Sequence, residues 1–351
     1  MTALATARSH QPTARRRVRG LVVVAALLVL AVIASLCVGA TSIPPRILWQ
    51  ALHQRWSVTG VDVDPVVNQA AIIVQTLRIP RTILALLAGS ALGTAGALAQ
   101  GHTRNPIAEP GLMGISAGAS FCIAFGIAVL GLQSPLAHVW LSLLGGLATA
   151  ALVFTICNIG RGGSPLTLVL LGAGITATLS SVTSALTLLD QSTSEQMRRW
   201  VVGSVAGRGW DVLWATGPLI LLTLVAAFAT APTLNLLGLG DDVARGAGVR
   251  VERARIVGLT VLAVLTGAAT TACGPIALLG LVVPHLARTI TGPDNRWLLP
   301  WSALLGALVL LVCDVLGRVM ATAEVPAGLV VALAGGPFFI AVVRRRRLAT
   351  L

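Results

Sequence analysis

From Leu21 to Ala40 the chain reads LVVVAALLVLAVIASLCVGA, twenty residues without a charge. As a helix this stretch is about 30 Å long, the thickness of a bilayer's hydrocarbon core. Comparable runs recur along the sequence, and they fix the class before any motif is read. Ten spans are expected, near 20–40, 78–100, 111–130, 137–158, 166–189, 210–231, 256–272, 274–291, 297–318 and 326–343. The seventh and eighth are divided only by Thr271–Gly274. A soluble chain of 351 residues needs far more polar surface than 11% charged residues provide. A transmembrane β-barrel would show short alternating strands instead. The expectation is an all-α polytopic membrane protein with about ten transmembrane helices.

All 25 basic residues are arginine. A P-loop needs a lysine on the nucleotide phosphates, so no standard Walker-type ATPase lies within the chain. The net charge of +13 would suit nucleic acid, but the arginines sit at span ends and in short loops. They follow the positive-inside pattern instead, with the densest clusters at Arg15–Arg19 and Arg344–Arg347. Both termini are then cytoplasmic. The organisation is a basic N-terminus 1–19, one membrane domain 20–343 and a basic tail 344–351. A polar segment, 232–255, lies on the inner side. Arg8–Arg19 ahead of an apolar run resembles a signal peptide, yet the run is too long for one, and a retained first span is expected. The five cysteines are scattered through apolar runs without metal or redox spacing, and no metal site is expected.

GDDVARGAG, 240–248, is too polar to cross a bilayer and too short to be a domain. A partner outside the membrane is expected to read it. In the fifth span Thr176, Ser180, Thr183, Ser184 and Thr187 step by three and four and share one helical face. Such a stripe either lines a water-accessible route or serves close helix packing. After it, Asp190 and SEQMRRW form a polar stretch outside, either a gate helix or an ordinary amphipathic loop. Arg78 and Arg81 open the second span in RIPR, and Arg318 closes the ninth, four residues after Asp314. That spacing suits an ion pair. External arginines at span ends either dock an acidic partner or snorkel to lipid headgroups. GHTRNPIAEPGLMGISAGA, 101–119, breaks the helical pattern as a hinge or a tight turn. Spans two to five and seven to ten are offset by five, so as repeats they would run in opposite senses. Catalytic constellations are not found: paired carboxylates, HExxH and a nucleophile elbow are all missing from the sequence.

Several ordered blocks resemble the permease subunits of ABC importers for iron-siderophores, haem and vitamin B12, the FecCD type. They are RIPRTILALLAGSALGTAGALAQGHTRNPIAEPGLMGISAGA, RRWVVGSVAGRGW, LNLLGLGDDVARGAGV, GPIALLGLVVPHLARTITGPDNRWLLPWSALLGALVLLVCDVLGR and EVPAGLVVALAGGPFF, within about residues 70–345. The resemblance implies the type II ABC importer architecture. It implies a second permease subunit, identical or paralogous, two cytoplasmic ATP-binding cassette subunits that use ATP and Mg, and an extracytoplasmic binding protein. The chain itself would bind no cofactor and sit in the inner membrane, delivering an iron-siderophore to the cytoplasm. Leu239, Gly240, Asp241, Asp242, Ala244, Arg245 and Gly248 then match the helices that couple to the ATPase. Arg78, Arg81 and Arg318 match positions that meet glutamates of the binding protein, and the fifth span matches the translocation path. GPIALLGL lacks an aromatic found in many members, and segment 41–68, with Trp49, Trp56, Asp62 and Asp64, falls outside the matching blocks. Haem or vitamin B12 is the alternative cargo. A secondary transporter coupled through Asp314 is the reading outside this class.

Overall fold

The computed structural model describes residues 14–53, 64–159, 165–321 and 323–344. Every regular element among them is helical: α1 Ala14–Cys37, α2 Pro45–His53, α3 Pro65–Ile72, α4 Ile79–Thr103, α5 Ile115–Ala128, α6 Pro135–Ile159, α7 Pro165–Leu189, α8 Gln191–Val201, α9 Trp210–Ala229, α10 Ala231–Gly238, α11 Asp241–Gly246, α12 Val251–Cys273, α13 Leu279–Thr291, α14 Asn295–Val319 and α15 Ala327–Arg344. Helices stand at all ten expected span positions. Seven apolar stretches are long enough to cross a membrane by length and composition alone. The outermost residues of the two basic termini, and Trp56 and Asp62, lie outside the described residues.

Two boundaries differ from the expectation. The second span begins at Pro65, not Arg78, because α3 runs through a π-helical turn, Ile73–Arg78, into α4. Pro80 has no N–H and its ring would strike the Thr76 carbonyl in a regular helix. The wider turn, in which Ile79 N–H reaches back to Val74 O, removes that clash and lets the rod continue. The eighth span begins its helix only at Leu279. Gly274–Leu278 is irregular, with Gly274 at φ 74° and Leu278 at φ 66°. At 13 residues, α13 is about 20 Å long and cannot cross unaided. Such a break is tolerated at membrane depth only where protein covers it. Here Ser204 N–H donates to Cys273 O at 2.6 Å, and Gly203 O accepts from Gly328 N–H at 3.0 Å.

The core is built around α4, which packs against α14, α12, α13 and α9. Without a hydrophobic drive inside lipid, helices associate where small residues let backbones approach. A Cβ at Gly96 would lie 1.9 Å from Gly280 O, and one at Gly89 would lie 2.3 Å from Gly306 O. Corresponding span positions pair in the two halves. Span two (α4) lies on spans nine and eight (α14, α13), and span seven (α12) lies on spans four and three (α6, α5).

Asp190 caps α8, with its carboxylate accepting from Thr193 N–H at 2.7 Å. The Thr193 and Ser192 side chains help hold that carboxyl down to about 2. Met197 and Trp200 of α8 then pack onto Ala119, Ile123 and Ile127 of α5. The stretch after the hydroxyl stripe is thus a helix seated on the bundle. Asp64 caps α3 in the same way, accepting from Val66 N–H at 2.9 Å.

Candidate coupling, docking and pathway sites

The polar segment 232–255 folds into two short helices and the start of α12. Gly240 makes the corner between α10 and α11 at φ 115°, a conformation that favours glycine, and Gly248 makes the next at φ 84°. Ala244, fully buried, packs with Leu237 and Val251, so α11 clips onto its neighbours through one small side chain. Asp241 ties the clip to the bundle. It pairs with Arg104 at the end of α4 and with Arg255 of α12, the latter at 2.8 Å. Arg104 also donates to Leu237 O at 3.0 and 2.6 Å, satisfying a carbonyl at the end of α10. The rest of the segment faces outward. Asp242 is fully exposed, and Arg245 reaches it at 3.2 Å and Glu252 at 3.3 Å. Leu239, at the end of α10, and Val243, on α11, are exposed apolar side chains on either side of the Gly240 corner. Arg255 belongs to the polar segment read from the sequence, whereas Val243 and Arg104 were not singled out as contacts.

At the opposite end, Arg78, Arg81 and Arg318 come together. Asp314 sits between two of them. It accepts from Arg81 Nη2 at 2.9 Å and forms the expected pair with Arg318 on its own helix. Arg318 also donates to Ser35 O at 2.7 Å, Val38 O at 3.1 Å and Ser35 Oγ at 3.1 Å. Arg78 donates to Leu36 O at 2.6 Å and to Thr41 O. The C-terminal carbonyls of α1, orphaned by the helix geometry, are therefore satisfied by two arginines from other helices. Both guanidiniums are buried. Arg81 has a second partner, Glu324, at 2.9 Å, whose side chain is 40% exposed. With Arg208 and Gly39 these residues line a cavity of about 350 Å³.

The hydroxyl stripe of α7 divides. Thr183 is buried and Thr176 and Thr187 are half-buried, while Ser180 and Ser184 are exposed. Thr178 and Ser181, off the stripe, are exposed as well. Thr176, Thr183 and Ser184 donate to carbonyls four residues back, and Thr187 to Ser184 O. Only 11% of this span is buried in the chain.

One carboxylate found by the structure alone is Glu109. The 104–114 segment after α4 turns at Arg104, φ 50°, and leads to Glu109, which accepts from Leu278 N–H at 2.6 Å. An acid from the first broken segment thus caps the helix that follows the second.

Residues 27–345 match the FecCD transport family. The chain belongs to that family. This FecCD permease is 39% identical over 321 residues to the ferric enterobactin transport system permease FepD of Escherichia coli, covering 91% of this chain and 93% of the relative. It is 38% identical over 332 residues to the hemin transport system permease HmuU of Yersinia pestis, covering 92% and 94%. A solved structure described as an inward-facing metal-chelate type ABC transporter superposes with a TM-score of 0.80 at 28% identity, covering 93% of this chain and 99% of that one. The chain is accordingly a multi-pass membrane permease and a transporter component, not an enzyme.

Proposed function

We propose that the permease carries a ferric siderophore across the inner membrane, driven by ATP hydrolysis in a separate subunit gripping α10 and α11. The observation that carries this is the shape of the coupling segment. It is held to α4 and α12 through Asp241, and it turns two bare apolar side chains, Leu239 and Val243, away from the bundle. A pair of that kind suits the cleft of a protein partner. The ATP and Mg belong to that partner, because the chain has no lysine for a P-loop. The termini are cytoplasmic on this reading.

The uncovered, hydroxyl-bearing face of α7 suits a central route shared with a second permease subunit. At the other end an extracytoplasmic binding protein docks through its glutamates. Arg81 is the accessible contact, and Glu324 occupies the place an incoming carboxylate would take. Arg78 and Arg318 support it from beneath, since their donors are engaged with α1. Coupling to an ion through Asp314 is disfavoured by the two guanidiniums already on its carboxylate.

Uptake of a panel of labelled ferric chelates by a strain lacking this gene tests the cargo. Siderophore uptake lost on deletion and restored by the intact chain supports the reading. Haem and ferric citrate are the competitors, because a hemin permease and a ferric dicitrate permease are among the relatives at high coverage. Restoration of haem or ferric citrate uptake alone would replace siderophore by that cargo.

A further inference from the structure

At the α11 end of the bundle, the bases of α9, α10 and α12 enclose a cavity of about 650 Å³. Its lining changes character across its width. Arg250 and Arg253 contribute nitrogen donors, and Ala226, Ala229 and Val257 give an apolar wall. The other arginines nearby, Arg104, Arg245 and Arg255, are all paired with carboxylates. The side chains of Arg250 and Arg253 make no hydrogen bond or ion pair among the described residues, and both line this cavity. Arg250 also stands at the N-terminus of α12, where the acid of the first turn, Glu252, is taken by Arg245 and not by either of these arginines.

His102 borders the same cavity, but both its ring nitrogens are covered and have no partner among the described residues. Its Nε2 faces α12, where a Cβ added at Gly258 would lie 1.9 Å from it.

We infer that this cavity binds the phosphate of an anionic phospholipid. A free phosphate would satisfy the two arginines but leave the apolar wall empty. An amphiphile matches both ends. Above the cavity, Leu221, Leu222 and Val225 of α9 form a bare apolar strip along which acyl chains can lie. Basic pockets between helices at a membrane interface recognise anionic headgroups by this chemistry.

The experiment is native mass spectrometry of the full chain in detergent, titrated with dioleoylphosphatidylglycerol, dioleoylphosphatidylcholine or inorganic phosphate. The expected preference for phosphatidylglycerol over phosphatidylcholine is on the order of tenfold, from two arginines at the headgroup. Arg250→Gln with Arg253→Gln should bring the ratio near one, whereas Arg245→Gln should leave it unchanged. Val257→Trp, which fills the apolar end and keeps both charges, should also lower lipid retention. A preference that survives both the double variant and Val257→Trp overturns the proposal. So does displacement of phosphatidylglycerol by inorganic phosphate at equal concentration, which marks a soluble-anion site. Loss of ATPase co-purification in the double variant with lipid retention intact would instead assign the patch to a protein contact.

Discussion

At the α1 end of the bundle, Arg78 and Arg318 are buried and their donors are engaged with carbonyls of another helix. At the α11 end, Asp242, Arg245, Leu239 and Val243 stand in solvent, and one carboxylate, Asp241, fastens the whole segment. Both regions are rich in arginine and both looked like partner contacts in the sequence. The difference is in what a charge can do once buried. The Nη donors of Arg78 and Arg318 are committed to fixed acceptors, so these guanidiniums become structure. An exposed one can exchange partners and so remains available for function.

The sharpest way to break this contrast is at Asp314. Asp314→Ala strips two arginines of their carboxylate in a buried site, and the expected loss is about 3–5 kcal/mol. Thermal unfolding in detergent checks it. A shift no larger than that of an exposed substitution would mean the outer cluster is not structural. Next in size is the other end. Leu239→Asp with Val243→Asp should cut uptake on the order of tenfold or more while the thermal midpoint stays put. Retained uptake would leave the bare face without a role.

Asp241→Asn tests the fastening between the two extremes. Its partners are part-exposed, so the stability cost should not exceed about 1 kcal/mol. That cost should shrink as salt rises, and a salt-independent loss would show the tie to be a buried one. Smallest is Ser180→Ala with Ser184→Ala, expected to change stability by under ~0.5 kcal/mol because neither side chain is covered by the chain. A larger loss would place these hydroxyls in packing after all.

The ten helix positions were legible from the apolar runs, although among the described residues seven stretches are long enough to cross a membrane. The Asp314–Arg318 pair was legible because both lie on one helix, four apart. Arg81 as the second partner of Asp314, and the α1 carbonyls as partners of Arg78 and Arg318, were not. These contacts join residues far apart in sequence, and no local spacing announces them. The hydroxyl stripe illustrates a different limit. Periodicity placed five residues on one face, but the direction of that face depends on what packs beside α7. The tertiary arrangement turns Thr183 inward and Ser180 outward. Pro80 misled in a third way: proline usually opens or breaks a helix, and here a π turn carries the rod past it.

The backbone seams of α4 against α13 and α14 carry a last implication. Where Gly96 meets Gly280 and Gly89 meets Gly306, there is no side chain left to rotate or yield. These three helices must travel as one stiff chassis. A methyl group added at Gly89 or Gly96 would have to part the seam, because no neighbour there can turn aside.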